Sequence, residues 1–537
     1  MKISIITTLY ILLSFTGCEK EATSKAPVKI YKITVDLNSN LQEMDGFGAS
    51  DAWRCQFVGK NWPLEKREKI ADLLFSKELD ANGNPKGIGL AIWRFYLGAG
   101  SMEQGADSKI WDEWRRSECF LNADGTYDWT KQEGQKWFLD AAKKRGVEKF
   151  LAFSISAPVN YTKNQKAYNP CGISLNIKPE YLDDYADFMV NTLDHFKSAG
   201  IPFDYLSPLN EPQWNWTANT DGWAGQEGTP AKNADFKNLC KLLSDKISEK
   251  GLNTKVVVAE AGNLTYLYSK ADTLRGNQTE AFFSNSSPYY LGGLANVAPV
   301  MGGHSYFTVW PLSTLKDTRV ALNNKIKAVN PSLKYWQTEY CPLEGANTDI
   351  DGGWNRDLTM RTALYISRII HSDITDGNAS SWQWWTALTR FDYKDGLIYL
   401  DNGDNGLRDG SKSDYCKNDG FIRDSKLLWS LGNYSLFVRP GMRRVKETTD
   451  FASIPDAGLL VSSFKDEATK KLVVVIINNS SSNKNISIET LGGAVENGEL
   501  KMYETSYESN LASKGVLKQS KIQVLSKSVV SLVGTYK

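Results

Sequence analysis

The chain has 537 residues, with 63 Lys+Arg against 62 Asp+Glu and a formal net charge of +1. This balance excludes a basic nucleic-acid binder and an acidic disordered tail. At 41% hydrophobic and 23% charged it is an ordinary globular mixture, long enough for two or more domains. Three histidines (His195, His304, His371) are too few for a His-rich metal site, so neither a metal nor a cofactor is expected, whereas 17 Trp, 24 Tyr and 21 Phe form a surplus.

Lys2 precedes an apolar run, Ile3-Ser4-Ile5-Ile6 through Leu12-Leu13, followed by Phe15-Thr16-Gly17-Cys18 and polar Glu19-Lys20-Glu21. A short apolar run behind a positive residue reads as a secretory signal and is too short to span a bilayer comfortably. Its end resembles the bacterial lipoprotein cleavage box. That implies a signal peptide over 1–17 and a mature chain starting at a lipidated Cys18, anchored at the outer membrane, the cell surface or in the periplasm. Cys55, Cys119, Cys171, Cys240, Cys341 and Cys416 are widely spaced with no CxxC pair, so a zinc site is not expected and disulfide pairing stays open.

Tyr31, Ile33, Val35 and Leu37 alternate with polar residues, which predicts a strand over 28–38. Eight short apolar runs follow, at 44–50, 88–96, 149–156, 203–208, 255–260, 300–307, 334–340 and 380–386. Amphipathic stretches lie between most of them. Tyr185, Met189, Leu193 and Phe196 make one helical stripe, Phe236, Leu239, Cys240, Leu243 and Ile247 a second, and 358–374 a third. Eight strand–helix units predict a closed (β/α)8 barrel. The main alternative, an open doubly wound sheet, calls for a glycine-rich phosphate loop, of which Gly46-Phe47-Gly48-Ala49-Ser50 is a weak imitation. Past about Arg439, β-like runs at 459–464, 472–477, 485–489, 501–505 and 529–533 are separated by turn residues, which predicts a small β-sandwich. The expected division is 18–40 for the anchor, linker and first strand, 41–435 for the barrel, and 436–537 for the sandwich, which the N-terminal strand completes.

Barrel active sites form where strands end. The fourth predicted strand runs into Ser207-Pro208-Leu209-Asn210-Glu211-Pro212-Gln213-Trp214, and the seventh into Trp336-Gln337-Thr338-Glu339-Tyr340. Two carboxyls on opposite sides of one barrel mouth can flank a glycosidic bond, one protonating the leaving oxygen while the other attacks or activates water. Glu260, ending the fifth strand, is a third mouth carboxylate whose flanks match no catalytic pattern.

Asn210-Glu211-Pro212 with Glu339 resembles clan A retaining glycosidases. Gly46-Phe47-Gly48-Ala49-Ser50-Asp51-Ala52-Trp53, the strand-four segment, and Gln226-Glu227-Gly228 narrow the resemblance to glycoside hydrolase family 30, in its endo-β-1,6-galactanase-like branch. The resemblance implies Glu211 as acid/base and Glu339 as nucleophile, working through a covalent glycosyl-enzyme. It also implies Arg94 as a fixed positive charge beside the nucleophile, His304 and Tyr306 orienting the nucleophile or sugar, and Asn210 bonding the sugar 2-hydroxyl. Asp51 and Glu227, in motifs that carry the resemblance, are expected at the site. Trp53, Trp214, Trp216, Trp223, Trp310, Trp384 and Trp385 fall at or past strand ends, where flat rings suit sugar C–H faces. Asn160 and Tyr161 are further candidate sugar contacts. The stretch 388–424, including Asp401-Asn402-Gly403-Asp404-Asn405-Gly406, is read as a cleft wall with turn chemistry, since its spacing fails the EF-hand pattern. The expected partner is a neutral β-linked polysaccharide, foremost β-1,6-galactan, with β-1,6-glucan, glucuronoxylan or a glucosylceramide-type glycoside as alternatives. No nucleic acid, no membrane contact beyond the Cys18 lipid, and a monomer are expected. No basic pocket for a uronate can be located in the sequence. A non-catalytic sugar-binding lipoprotein would keep the aromatics but need neither glutamate.

Overall fold

The computed structural model describes residues 29–345, 348–403 and 414–537, so the leader, Cys18 and Asp404-Asn405-Gly406 lie outside the described residues. Strand β1 (Ile30–Asp36) comes first. Eight strands then close a barrel in chain order: β2 (Gly46–Ser50), β3 (Ile92–Leu97), β4 (Lys149–Ser154), β5 (Tyr205–Ser207), β6 (Lys255–Ala261), β7 (Val297–His304), β8 (Lys334–Glu339) and β9 (Ala379–Trp384). All neighbours are parallel, and β9 closes on β2 with Gly46 opposite Ser381 and Phe47 opposite Trp382. Helices cover the outer face, so the strands are buried on both sides and read as continuous apolar runs such as Val256-Val257-Val258.

The expected eight strands are all present, with shifted ends. The second starts at Ile92 rather than 88, and the fourth is only Tyr205–Ser207. The eighth breaks after Trp384, where the chain continues into β10 (Thr386–Thr389), β11 (Gly396–Asp401) and β12 (Phe421–Asp424). These three form their own sheet, so the expected wall of turns is partly a sheet. Within it, Asp401 faces Arg356 at 3.0 Å and Arg423 at 3.2 Å; these ion pairs occupy its carboxylate.

The C-terminal strands are β13 (Arg443–Thr449), β14 (Leu459–Asp466), β15 (Lys471–Asn478), β16 (Lys484–Leu491), β17 (Glu499–Thr505), β18 (Ala512–Lys518), β19 (Ile522–Val524) and β20 (Ser528–Thr535). With β1 they run in the order β18-β17-β20-β15-β14-β13-β1-β16-β19. As expected, β1 joins this domain, antiparallel to β13 and parallel to β16. The assembly folds over its own core, with Ile33, Val35, Val461, Val474, Ile476, Ile488 and Val530 in one cluster. Strands β14 and β15 are buried on both faces: Leu460, Phe464, Val473, Val475 and Ile477 point the other way and join the barrel's core. Ile477→Ala should therefore cost about 2–5 kcal/mol and lower one shared unfolding midpoint in urea. A two-step transition, with the barrel unaffected, would contradict this coupling.

All six described cysteines are free. No helix among the described residues is long and apolar enough to cross a membrane.

Candidate active site

Glu339 is the last residue of β8, and Glu211 lies four residues past the end of β5. Both therefore sit at the C-terminal mouth of the barrel, on its fourth and seventh strands. Glu211 takes a left-handed backbone conformation with φ +47°. Its N–H donates to the Glu260 carbonyl at 2.9 Å, and its own carbonyl accepts from Trp214 N–H at 3.1 Å and Trp216 Nε1 at 3.0 Å. This clamp fixes a conformation that costs a non-glycine residue about 1–3 kcal/mol. Gly262 leaves the carboxyl room: a Cβ there would lie 2.6 Å from Glu211 Oε1.

His304, the last residue of β7, binds the site together. Its Nδ1 is 2.9 Å from Glu211 Oε1 and 3.5 Å from Glu339 Oε1, and its Nε2 is 3.0 Å from Glu260 Oε2. Tyr306 donates its hydroxyl to Glu339 Oε1 at 3.0 Å. Arg94, from β3, donates Nη1 to Glu339 Oε2 at 2.5 Å and Nη2 to Asn210 Oδ1 at 2.8 Å, with Nη2 also 3.6 Å from Glu260 Oε2. Its guanidinium lies 3.8 Å over the Phe153 ring. One atom each of Glu211, His304 and Glu339 lie within 4.8 Å of one another.

Three buried carboxyls thus surround two cationic groups, and their environments pull Glu211 and Glu260 apart in acidity. Burial opposes a charge on His304, but the Glu339 charge and the hydrogen bonds His304 donates to Glu211 and Glu260 overcome it and hold the imidazole up at about 9. Glu260 is buried too, yet the His304 hydrogen bond, Arg94 and Thr338 Oγ1 at 2.6 Å bring it below the usual carboxylate range. Glu211 goes the other way. Burial raises it, the His304 hydrogen bond pulls back, and the Glu339 charge raises it further. Glu211 is thus the carboxyl suited to carry a proton, and Glu260 is a permanent counter-ion.

The remaining expected residues divide by burial. Asn210 accepts from Arg94 beside the acid, and half-buried Trp214 follows Glu211 on the same turn. Asp51, Trp53, Glu227 and Trp384 lie buried at barrel strand ends or in the loops that follow them. Asp51 is 1% exposed and accepts from Tyr96 N–H at 2.9 Å and Gln135 Nε2 at 3.0 Å; burial pushes it up to about 7. Glu227 is fully buried and also pushed up by burial to about 7. It accepts from Tyr96 Oη, from Ala99 N–H at 3.1 Å and from Ser101 Oγ at 2.5 Å, tying the loop after β5 to the loop after β3. Trp53 is 2% exposed and edge-on to Tyr96 and Trp385, and Trp384 is wholly buried with Nε1 donating to the Asp395 carbonyl at 2.8 Å. These indoles are too covered to serve as sugar platforms. Asn160 is exposed, and its carbonyl accepts from Lys178 Nζ at 3.4 Å. Tyr161 stacks on Tyr181 at 4.8 Å.

The sequence reading named Glu260 as a mouth carboxylate without its inward aim, and it missed a basic corner. Glu260 is aimed inward by a bulge: Ala259 and Glu260 have φ +81° and +49°, and the pairing of β6 with β7 shifts register between Ala259 and Ala261. Gly302 opposite was the available signal, since a Cβ there would sit 2.9 Å from Glu260 Oε1. In the basic corner, Arg54 is fully buried with no hydrogen-bond partner among the described residues on any guanidinium nitrogen, and its guanidinium lies 4.8 Å over the Phe391 ring. Arg115, its side chain 27% exposed, lies 5.4 Å over the Trp53 ring; burial and the Arg54 charge hold it down at about 10. Arg390 pairs with Asp112 at 2.8 Å.

A (β/α)8 barrel with paired glutamates at its fourth and seventh strand ends, and a β-domain built from both chain ends, is the framework of a glycoside hydrolase. The chain belongs to O-glycosyl hydrolase family 30, whose model matches residues 30–399. It is 36% identical to a conserved exported protein from Bacteroides fragilis, with a TM-score of 0.86 over 94% of this chain and all of that one. Glucuronoxylanase XynC of Bacillus subtilis (strain 168) is 24% identical over 340 residues, 62% of this chain; the match spans 58% of that relative's length. An endo-β1,6-glucanase shares the fold at 18% identity, with a TM-score of 0.64 over 94% of each chain.

Proposed function

We propose that the chain is a retaining, endo-acting hydrolase of β-1,6-linked galactan, exported and held at the cell surface or in the periplasm by a lipid on Cys18. The observation that carries the mechanism is the approach of Glu211 and Glu339 to within 4.8 Å around one imidazole. Retention needs carboxyls about 5–5.5 Å apart, whereas inversion needs about 6.5–9.5 Å to admit a water. Glu339, oriented by Arg94 and Tyr306, attacks the anomeric carbon while Glu211 gives its proton to the leaving oxygen. Attack consumes the Glu339 charge, one of the influences that raise Glu211. Glu211 then becomes the stronger acid and serves as the base that deprotonates the incoming water.

The choice of galactan rests on the family resemblance alone, since no residue pattern in the chain spells galactose. A β-1,6 linkage is also the bond named for the glucanase neighbour. The basic corner favours a second reading, in which the glycan carries uronic acid, as glucuronoxylan does; Arg54 and Arg115 would face its carboxylate. Product analysis on β-1,6-galactan, β-1,6-glucan, glucuronoxylan and carboxyl-reduced glucuronoxylan tests both. Oligosaccharides from galactan support the first reading. Cleavage of glucuronoxylan, lost on carboxyl reduction, replaces it with the second. Activity on an aryl galactoside alone removes the endo-acting reading.

A further inference from the structure

The turn that carries Tyr306 away from the end of β7 is gripped from outside the barrel wall. Thr308 N–H and Thr308 Oγ1 both donate to the Ser305 carbonyl, at 3.3 Å and 2.8 Å, so Ser305–Thr308 closes as a turn with Tyr306 and Phe307 at its centre. Phe307, the third residue of this turn, has φ +59°, a conformation that such turns ordinarily give to glycine or asparagine. Local preference therefore works against the turn, and its neighbours must hold it.

Two charged side chains on the covering helices do so. Arg319, from the helix Leu312–Val329, and Asp373, from the helix Met360–Thr375, are both 0% exposed and pair at 2.8 Å. The Arg319 fork reaches past this pair to the end of the turn. Its Nη1 donates to the Thr308 carbonyl and lies 3.1 Å from Thr308 Oγ1. Asp373 takes the start of the turn, with Ser305 Oγ at 3.5 Å and 3.4 Å from its two carboxylate oxygens. Trp382 Nε1, on β9, donates to the same carboxylate at 2.9 Å. Both ends of the turn are thus tied to one buried ion pair. Between them lies Tyr306, whose hydroxyl donates to Glu339 Oε1 at 3.0 Å.

An ion pair this deep is a poor source of stability. Its desolvation offsets its attraction, and apolar side chains of similar volume usually serve as well. They cannot supply the planar fork, which addresses a carboxylate, a carbonyl and a hydroxyl in one fixed geometry. We propose that Arg319 and Asp373 are positioning residues for the nucleophile. Acting through the Ser305–Thr308 turn, they fix where the Tyr306 hydroxyl meets Glu339, and so set the rate of attack on the anomeric carbon. The proposal rests on the reading of Glu339 as nucleophile. His304, at the other side of the turn, is held through its own ring by Glu211 and Glu260, so the effect of the pair passes through Tyr306.

The test uses the full chain and whichever panel glycan it cleaves, with kcat, KM and Tm read for each variant. Arg319→Met combined with Asp373→Leu removes both charges together and leaves no buried charge unpaired. It should fold, keep KM, and lower kcat about 10–100-fold, the scale of a misplaced contact at the reacting centre. With Tyr306→Phe already in place, the same two substitutions should lower kcat less than about 3-fold further, because no hydroxyl remains to be aimed. Should the double variant fail to fold, Arg319→Lys decides the matter. It keeps a charge opposite Asp373 but loses the fork, and the same fall in kcat with the same dependence on Tyr306 is expected. A purely structural pair would lower Tm, and would lower kcat by the same factor with or without Tyr306→Phe. An unchanged kcat in the folded variant, or full additivity with Tyr306→Phe, overturns this proposal alone. Full activity in Glu339→Gln overturns the nucleophile reading beneath it.

Discussion

Replacing Glu339 by glutamine is expected to reduce kcat about 10⁴-fold or more on any glycan the enzyme cleaves, with the fold intact, because no oxygen nucleophile remains. Replacing Glu211 by glutamine should cut turnover of the same glycan about 10²–10⁴-fold, the usual worth of a positioned proton donor. The two variants should part company on an aryl glycoside with an acidic phenol. That leaving group needs no proton, so Glu211→Gln should form the covalent intermediate quickly and then stall, and azide, which needs no general base, should restart it. Glu339→Gln should show neither burst nor rescue. Glu260 provides the internal control. It bonds His304, Thr338 and Arg94, so Glu260→Gln should disturb stability more than it removes chemistry. If Glu260→Gln instead behaves as Glu339→Gln is expected to, the nucleophile has been misassigned.

The second large effect concerns His304. Its folded value of about 9 lies above the 6.5 of an ordinary imidazole, so the folded state favours the cation. The stability this gives is fully present below about pH 6.5 and is lost as pH rises through about 9. The difference corresponds to roughly 3 kcal/mol at 1.36 kcal/mol per pH unit. Asp51, Glu227 and Glu447, each pushed up by burial to about 7, add a separate decline as they ionise between the ordinary carboxylate range and neutrality. The wild-type Tm should therefore fall in two stretches between pH 4 and 9. His304→Gln should keep the lower decline and lose the upper one. The same variant should lower kcat about 10²-fold, the scale of losing one preorganised donor. A wild-type Tm that is flat from pH 6.5 to 9, or an equally steep fall in His304→Gln, would remove the imidazolium from the site.

Strand-end position explains what could be read from the sequence. Glu211 and Glu339 were legible because parallel-barrel topology sends the end of every strand to one mouth, whatever the distance in sequence. Arg94, His304 and Tyr306 were picked out by the family resemblance of their motifs, and the same topology brings them to that mouth. Burial was harder to see. Trp53 and Trp384 sit at strand ends as expected, but the mouth is thick enough to cover them, and nothing local separates a covered indole from an open one. Glu260 was discounted because its inward aim comes from a bulge, which leaves little mark on residue identity. The basic corner draws on Arg54, Arg115 and Arg390, residues from three loops that only the closed barrel brings together. In the β-domain, the run Leu472-Val473-Val474-Val475-Ile476-Ile477 was rightly taken for a strand. Its lack of alternation also recorded that β15 is buried on both faces, between the sandwich core and the barrel.

The claim on which the rest depends is that Glu211 and Glu339 form a retaining pair. It is tested most directly by proton NMR of the first sugar released from the glycan the enzyme cleaves, recorded before mutarotation. The geometry predicts that the new reducing end appears first as the β-anomer, with the α-anomer growing in later. An α-anomer appearing first would mean direct attack by water, and would contradict both the glycosyl-enzyme and the role given to Glu339.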